Sequence, residues 1–227
     1  MLRNLLIVLL PSLLIISVTS ACEGRGASDK ENINEQNITL KKDKPKDLKK
    51  LNKAYFASGC FWCVEAIFES VIGVEEVYNG YSGGHTKNPT YELSNTGTTG
   101  HAEAVEVYYD STIISFNQLV DVYFGSQNIE QVNGQGPDHG SQYRSIVFYQ
   151  NMAEKEIIDK KILQLEKEGY TVAAEVIPFD VFWMGEDYHQ DYEKLHPNQG
   201  YIQTVSIPRL KKFQSKYPDL LKSNKGH

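Results

Sequence analysis

Cys60 and Cys63 stand three apart in Gly59-Cys60-Phe61-Trp62-Cys63. On a helix that spacing puts both side chains on one face, at separations a disulfide can bridge. Two chemistries fit: a reversible dithiol with one nucleophilic cysteine, or half of a metal site completed by a histidine such as His85, His101 or His139. The chain has only 3 cysteines, so a four-cysteine zinc centre within one chain is excluded. Behind Gly59, the apolar residues Phe61, Val64, Ile67 and Phe68 recur at helical spacing, which predicts a helix with Cys60 in its first turn. The free amides and positive dipole end there favour a thiolate, so a Cys60 pKa below the ordinary value of about 8.5 is expected.

Alternating elements must position this pair. Ala54 to Ala57, Val74 to Tyr81, Ala102 to Tyr109, Ser145 to Tyr149 and Thr171 to Ile177 read as strands. Ser115 with Gln118 forms a capping-box start for a helix bearing Phe116, Leu119, Val120, Tyr123 and Phe124. Asn151 with Glu154 starts another, bearing Ile158, Ile162 and Leu165 and ending at Gly169. Between them, Ser126 to Gln142 is a polar, glycine-rich loop of a length that usually accompanies function, without a phosphate-loop pattern.

The 227 residues are 41% hydrophobic and 11% aromatic, enough for one globular domain with appended chain. A formal charge of −6 argues against nucleic acid as a partner, although seven lysines cluster between Lys41 and Lys53. Arg3, the apolar stretch Leu5 to Val18 and the small residues Thr19-Ser20-Ala21 read as an export signal over 1–21, the stretch being shorter than the roughly 20 residues a membrane span needs. Val18-Thr19-Ser20-Ala21-Cys22 resembles a bacterial lipoprotein processing site, with Cys22 as the lipidated residue; simple cleavage leaving a free thiol is the alternative. Residues 22–53, rich in Lys, Asn, Asp and Glu, read as a flexible tether, and 54–227 as the catalytic domain. An exported protein of the periplasm or cell envelope, anchored through lipid and monomeric, is expected.

Five blocks together resemble the peptide methionine sulfoxide reductase A family over about residues 54 to 205. They are Gly59-Cys60-Phe61-Trp62; Gly80-Tyr81-Ser82-Gly83-Gly84 running on to Asn88-Pro89-Thr90-Tyr91; Thr99-Gly100-His101-Ala102-Glu103; Asp138-His139-Gly140-Ser141-Gln142-Tyr143-Arg144-Ser145; and Glu186-Asp187-Tyr188-His189-Gln190-Asp191-Tyr192. Each is modest alone, but five in the family's order are specific. The resemblance implies an α+β fold, a two-layer sandwich (ferredoxin-like plait) of a mixed sheet with flanking helices. It also implies reduction of methionine S-sulfoxide, free or in oxidised proteins, with no cofactor and no metal.

The resemblance makes Cys60 the nucleophile. Attack on the sulfoxide sulfur expels oxygen, which needs a proton, and Glu103 is the candidate donor. Strand alternation sets Glu103 on an apolar face with Val105, Val107 and Tyr109, where desolvation would keep it protonated, whereas Glu75, Glu76 and Glu106 read as surface residues. By the same resemblance Tyr91 and Tyr143 bond the sulfoxide oxygen, Asp138 supports the polar side, and Phe61 and Trp62 form a recess for the methyl group. His189, Tyr188 and Tyr192 take supporting roles. Many members carry glycine where Cys63 stands and resolve through C-terminal cysteines; this chain has none there. Cys63 is therefore expected to resolve the Cys60 sulfenic acid as a disulfide, for recycling by a thioredoxin-like reductant.

Two other readings use parts of the same pattern. A thioredoxin-like disulfide exchanger also places CxxC at a helix start, but leaves Glu103 and the tyrosine blocks without a role. A surface lipoprotein binding a partner through its tyrosine-rich loops would need no activated thiol.

Overall fold

A computed structural model describes residues 47–223. The export signal, Cys22 and the tether as far as residue 46 lie outside the described residues. Eight strands and six α-helices follow: β1 (Asn52–Ala57), α1 (Phe61–Glu69), β2 (Val74–Ser82), α2 (Tyr91–Asn95), β3 (Ala102–Tyr109), α3 (Phe116–Gly125), β4 (Gly134–Gln135), β5 (Asp138–His139), β6 (Ile146–Tyr149), α4 (Met152–Lys167), β7 (Glu175–Pro178), β8 (Trp183–Met184), α5 (Tyr192–Leu195) and α6 (Ile207–Lys216). The mixed sheet has the order β7-β6-β1-β3-β2-β8, with only β6 and β7 parallel, joined through α4. Among the described residues, no helix is long and apolar enough to cross a membrane.

Period-two alternation explains how the sheet is buried. Ala54, Phe56, Val105, Val107 and Val147 face the helical side, where the Phe56 ring stacks on Phe68 of α1 at 4.9 Å and on Tyr123 of α3 at 5.3 Å. Tyr55, Ala57, Ala102, Ala104, Ile146 and Phe148 face the other way and are covered by the chain after β7, with Phe179 stacked on Tyr55 at 3.6 Å. Both faces are therefore covered.

That second cover corrects the reading of Glu106 as a surface residue. It is buried, at 6% exposure, and accepts hydrogen bonds from the Tyr55 hydroxyl at 2.8 Å and Lys53 Nζ at 2.9 Å. A buried carboxylate needs such partners, and Lys53, assigned to the tether, is thereby drawn into β1, which starts at Asn52. Glu106→Ala, which orphans the Tyr55 hydroxyl, is expected to lower the unfolding free energy in urea by about 1–3 kcal/mol. Lys53→Ala should cost less, because its ammonium is largely hydrated.

The local signals hold elsewhere in the chain. Ser115 and Gln118 form the reciprocal capping box of α3, and Asn151 caps α4 by accepting from the Glu154 amide. β7 starts later than the apolar pattern suggests, because Thr171 to Ala174 is held by loop contacts, including Ala173 N–H to the Ile129 carbonyl at 2.8 Å. The long polar loop contains the β4–β5 hairpin and a short 3-10 turn, Ser141–Tyr143.

Candidate active site

β1 delivers the chain to the site through Gly59, whose φ is +76° and whose added Cβ would sit 2.5 Å from the Gln135 Cβ. Only glycine fits that turn. Cys60 is the N-cap of α1, its carbonyl accepting from the Cys63 and Val64 amides. The helix thus begins one residue later than expected. Both thiols are free and buried.

Glu103 enters from β3, 2% exposed, and its Oε2 accepts the Phe61 N–H at 3.0 Å. Burial pushes its carboxyl up to about 8 against the pull of that amide, and the Asp138 charge adds to the shift. At neutral pH the group is mostly a protonated acid, and it lies against the start of the helix that carries Cys60. The apolar-face argument therefore selected a carboxyl with the expected protonation.

The thiols depart from expectation. Burial pushes the Cys60 thiol up, and its hydrogen bond with Cys63 and the Glu103 charge act the same way. Cys63 is instead pulled down, chiefly by the hydrogen bond with Cys60, which with the Arg209 charge, Ser206 and Tyr201 outweighs its burial. The physical reason is burial, with Glu103, brought from a distant strand, occupying the Phe61 amide. The hydrogen bond between the two thiols thus raises Cys60 and lowers Cys63.

The tyrosines converge on the same place. Tyr143 Oη donates to Asn95 Oδ1 at 3.5 Å, and Tyr91 shares hydrogen bonds with Asn95 and Tyr143. Burial raises both phenols, with the Glu103 and Cys60 charges adding, so both remain donors. Asp138 Oδ2 accepts from Tyr201 Oη at 2.6 Å, and the same hydroxyl lies 3.7 Å from Cys63 Sγ. Burial raises the Asp138 pKa, partly offset by Tyr201 and Arg209.

Trp62 is half-buried, stacked face to face on Tyr192 at 3.8 Å and 8°, and its indole N–H donates to His189 Nδ1 at 3.2 Å. Phe61 departs from its expected role. At 1% exposure it is a core ring against Tyr81, Tyr91 and His189, because an N1 side chain pointing under the helix meets β2 rather than solvent. Trp62, Tyr91 and Tyr143 are partly exposed, as are Tyr192 and Tyr201.

Three side chains absent from the sequence reading complete the surroundings. Tyr201 links Asp138 to Cys63 as described. Arg209 of α6 donates to the Ser58 carbonyl at 3.0 Å, to Ser58 Oγ at 2.9 Å and to the Ser126 carbonyl at 3.0 Å, which fixes its charge beside Cys63. Glu65 binds Asn79 and the Asp191 amide, each at 2.8 Å. No local pattern marks them, since each acts through a contact far along the chain. A cavity of about 540 Å³ opens beside Cys63, Asp138, Tyr201 and Arg209.

Among the described residues, neither cysteine falls in a group of three ligating side chains. His101, one suggested ligand, has both ring nitrogens engaged, Nδ1 by the Gly84 amide and Nε2 with the Thr86 carbonyl. The one grouping of three ligating side chains there is Glu65, Glu69 and Asp191. Lys194 already supplies a cation to it, 2.7 Å from Glu69 and 2.8 Å from Asp191.

Comparison with known proteins bears on what this arrangement does. A family model described as peptide methionine sulfoxide reductase matches residues 52–221. The peptide methionine sulfoxide reductase MsrA of Saccharolobus solfataricus is 44% identical over 174 residues, covering 76% of this chain and 98% of that protein. Its namesake from Nautilia profundicola is 46% identical over 161 residues, covering 71% and 93%. Among solved structures, methionine sulfoxide reductase A of Corynebacterium diphtheriae superimposes with a TM-score of 0.60 at 32% identity, covering 66% of this chain and 76% of that one. Mxr1 of Saccharomyces cerevisiae in reduced form gives 0.62 at 29% identity, covering 66% and 88%.

Proposed function

This chain belongs to the peptide methionine sulfoxide reductase A family, and from that premise we propose that Cys60 reduces methionine S-sulfoxide, in oxidised proteins and free, with Glu103 as the acid and Cys63 as the resolving thiol. The single observation that carries the reading is a buried carboxyl held near 8 and bonded to the first amide of the helix that Cys60 caps. A group of that kind donates a proton to an expelled oxygen at neutral pH, which a surface carboxylate cannot do.

The steps balance as follows. The Cys60 sulfur attacks the sulfoxide sulfur, and as that bond forms the Cys60 proton, made far more acidic by it, passes to Cys63 through their hydrogen bond. The phenols of Tyr91 and Tyr143 donate to the sulfoxide oxygen as charge grows on it, and Glu103 supplies the proton. Oxygen passes to Cys60 as a sulfenic acid, and methionine leaves. Cys63 then attacks the Cys60 sulfur, releasing water and forming the Cys60–Cys63 disulfide. A thioredoxin-like dithiol reduces it by exchange, and the cavity beside Cys63 gives that reductant an approach. Trp62 forms the wall of the methyl recess.

The strand order β6-β1-β3-β2, with α1 and α3 on one face, supports reading the core as a ferredoxin-like plait widened by β7 and β8. For the chain outside the described residues, the order of Arg3, apolar run and Cys22 supports an exported, lipid-anchored protein of the cell envelope, its catalytic domain carried on a tether.

The test is methionine formation from resolved sulfoxide epimers, free and peptide-bound, with dithiothreitol as reductant. Conversion of the S epimer alone is expected, and activity only on disulfides would reject the reading. The single-turnover rate should also fall as pH rises through about 8, where Glu103 loses its proton. A rate that climbs steadily through that range would remove Glu103 from the role.

A further inference from the structure

His189 is fully enclosed, at 1% exposure, yet it lies against the one indole of the site. Its ring centroid is 4.8 Å from Phe61, 4.6 Å from Tyr91 and 4.1 Å from Tyr188. Nδ1 accepts the Trp62 indole N–H at 3.2 Å. An indole nitrogen only donates, so Nδ1 carries no proton, and in the neutral ring the proton is on Nε2. That atom has no hydrogen-bond partner; a Glu186 carboxylate oxygen lies 3.7 Å away. Burial lowers the imidazole pKa, while the Glu186 and Glu92 charges oppose this.

The ring is also anchored from behind. The His189 carbonyl accepts from Asn79 Nδ2 at 2.8 Å, and the same amide group donates to Glu65 Oε2 at 2.8 Å. Glu65 Oε1 accepts the Asp191 N–H, and Gln190 brackets the Asn79 backbone on both sides. Glu65 belongs to α1, the helix that bears Trp62. The acceptor and the indole are thus referred to one rigid element.

We propose that His189 is a positioning residue that sets selectivity for the methyl group of the sulfoxide: by accepting the Trp62 indole N–H it fixes the plane of that ring on Tyr192 and so the depth of the recess beside Cys60. The inference rests on the sulfoxide reductase reading. Stacking on Tyr192 alone lets the indole slide in its own plane, whereas a hydrogen bond to a fixed acceptor does not. A recess of fixed depth discriminates one methylene, which in an apolar pocket is worth roughly 10–200-fold.

The experiment compares methionine S-sulfoxide with its S-ethyl homologue on the full chain. In His189→Phe, which keeps a ring but offers no acceptor, the methyl-over-ethyl ratio of kcat/KM should fall roughly tenfold, through KM for the methyl substrate. His189→Asn, which retains an acceptor near the Nδ1 position, should restore most of the ratio. The chain has 2 tryptophans, so the Trp62 indole N–H resonance is identified with Trp62→Phe; it should move in His189→Phe and return in His189→Asn. Should the phenylalanine variant fail to fold, nitrogen shifts of the wild-type His189 ring decide, with a protonated Nδ1 overturning the proposal. An unchanged ratio in a folded His189→Phe overturns it as well. Absence of sulfoxide reduction by the wild-type chain would instead reject the parent reading, which the ring-nitrogen measurement does not touch.

Discussion

A Cys63→Ser variant is expected to make about one equivalent of methionine per enzyme and then stop, with no sustained turnover on a thioredoxin-type reductant. The sulfenic acid on Cys60 has no other thiol within the described residues to condense with, since Cys60 and Cys63 are the free cysteines there. Its first turnover should also be slower than in the parent. In the proposed mechanism Cys63 receives the Cys60 proton as the sulfoxide is attacked, which a serine hydroxyl cannot do. Quenched-flow measurement of the methionine burst gives both values. Steady turnover at the parent rate would remove Cys63 from both roles.

Removal of the acid should have the other large effect. Glu103→Gln preserves an acceptor for the Phe61 N–H and the packing of β3, but the amide cannot deliver a proton to the departing oxygen. The burst rate should drop by roughly 10²-fold or more, and the limb near pH 8 should vanish with it. Glu103→Ala should be at least as slow and additionally less stable, because the Phe61 amide loses its partner. A near-wild-type burst in Glu103→Gln would place the proton donor elsewhere, with Asp138 the next carboxyl to test, since burial raises it too.

What the sequence disclosed and what it hid divide along contact range. Local rules located the start of α1 behind Gly59, the caps of α3 and α4, and the face of β3 that carries Glu103. Alternation sorted Glu103 from Glu106 correctly by face. It misjudged Glu106 as exposed because nothing near it in sequence announces that Phe179 and Phe182 cover the other side of the sheet. Tyr201 is one of 14 tyrosines and Arg209 sits in an ordinary amphipathic helix. Their importance comes from contacts with Cys63 and Ser58 across most of the chain.

The thiol pair shows the same limit in its electrostatics. Helix-end reasoning, applied to Cys60 alone, assigns it the low pKa. That reasoning omits two distant groups: Glu103, which takes the first helix amide, and Arg209, whose charge favours a thiolate on Cys63. Once both are included, Cys63 is the thiol whose pKa falls, the direction that the proposed mechanism requires.

The most direct test of this account is the mass of the reduced protein after reaction with one equivalent of methionine S-sulfoxide, with proteolytic mapping of the product. The expected result is one methionine released, a loss of two hydrogens, and a peptide in which Cys60 and Cys63 are joined. A product that instead carries one added oxygen on Cys63, or oxygen retained on Cys60 with Cys63 still a free thiol, would contradict it.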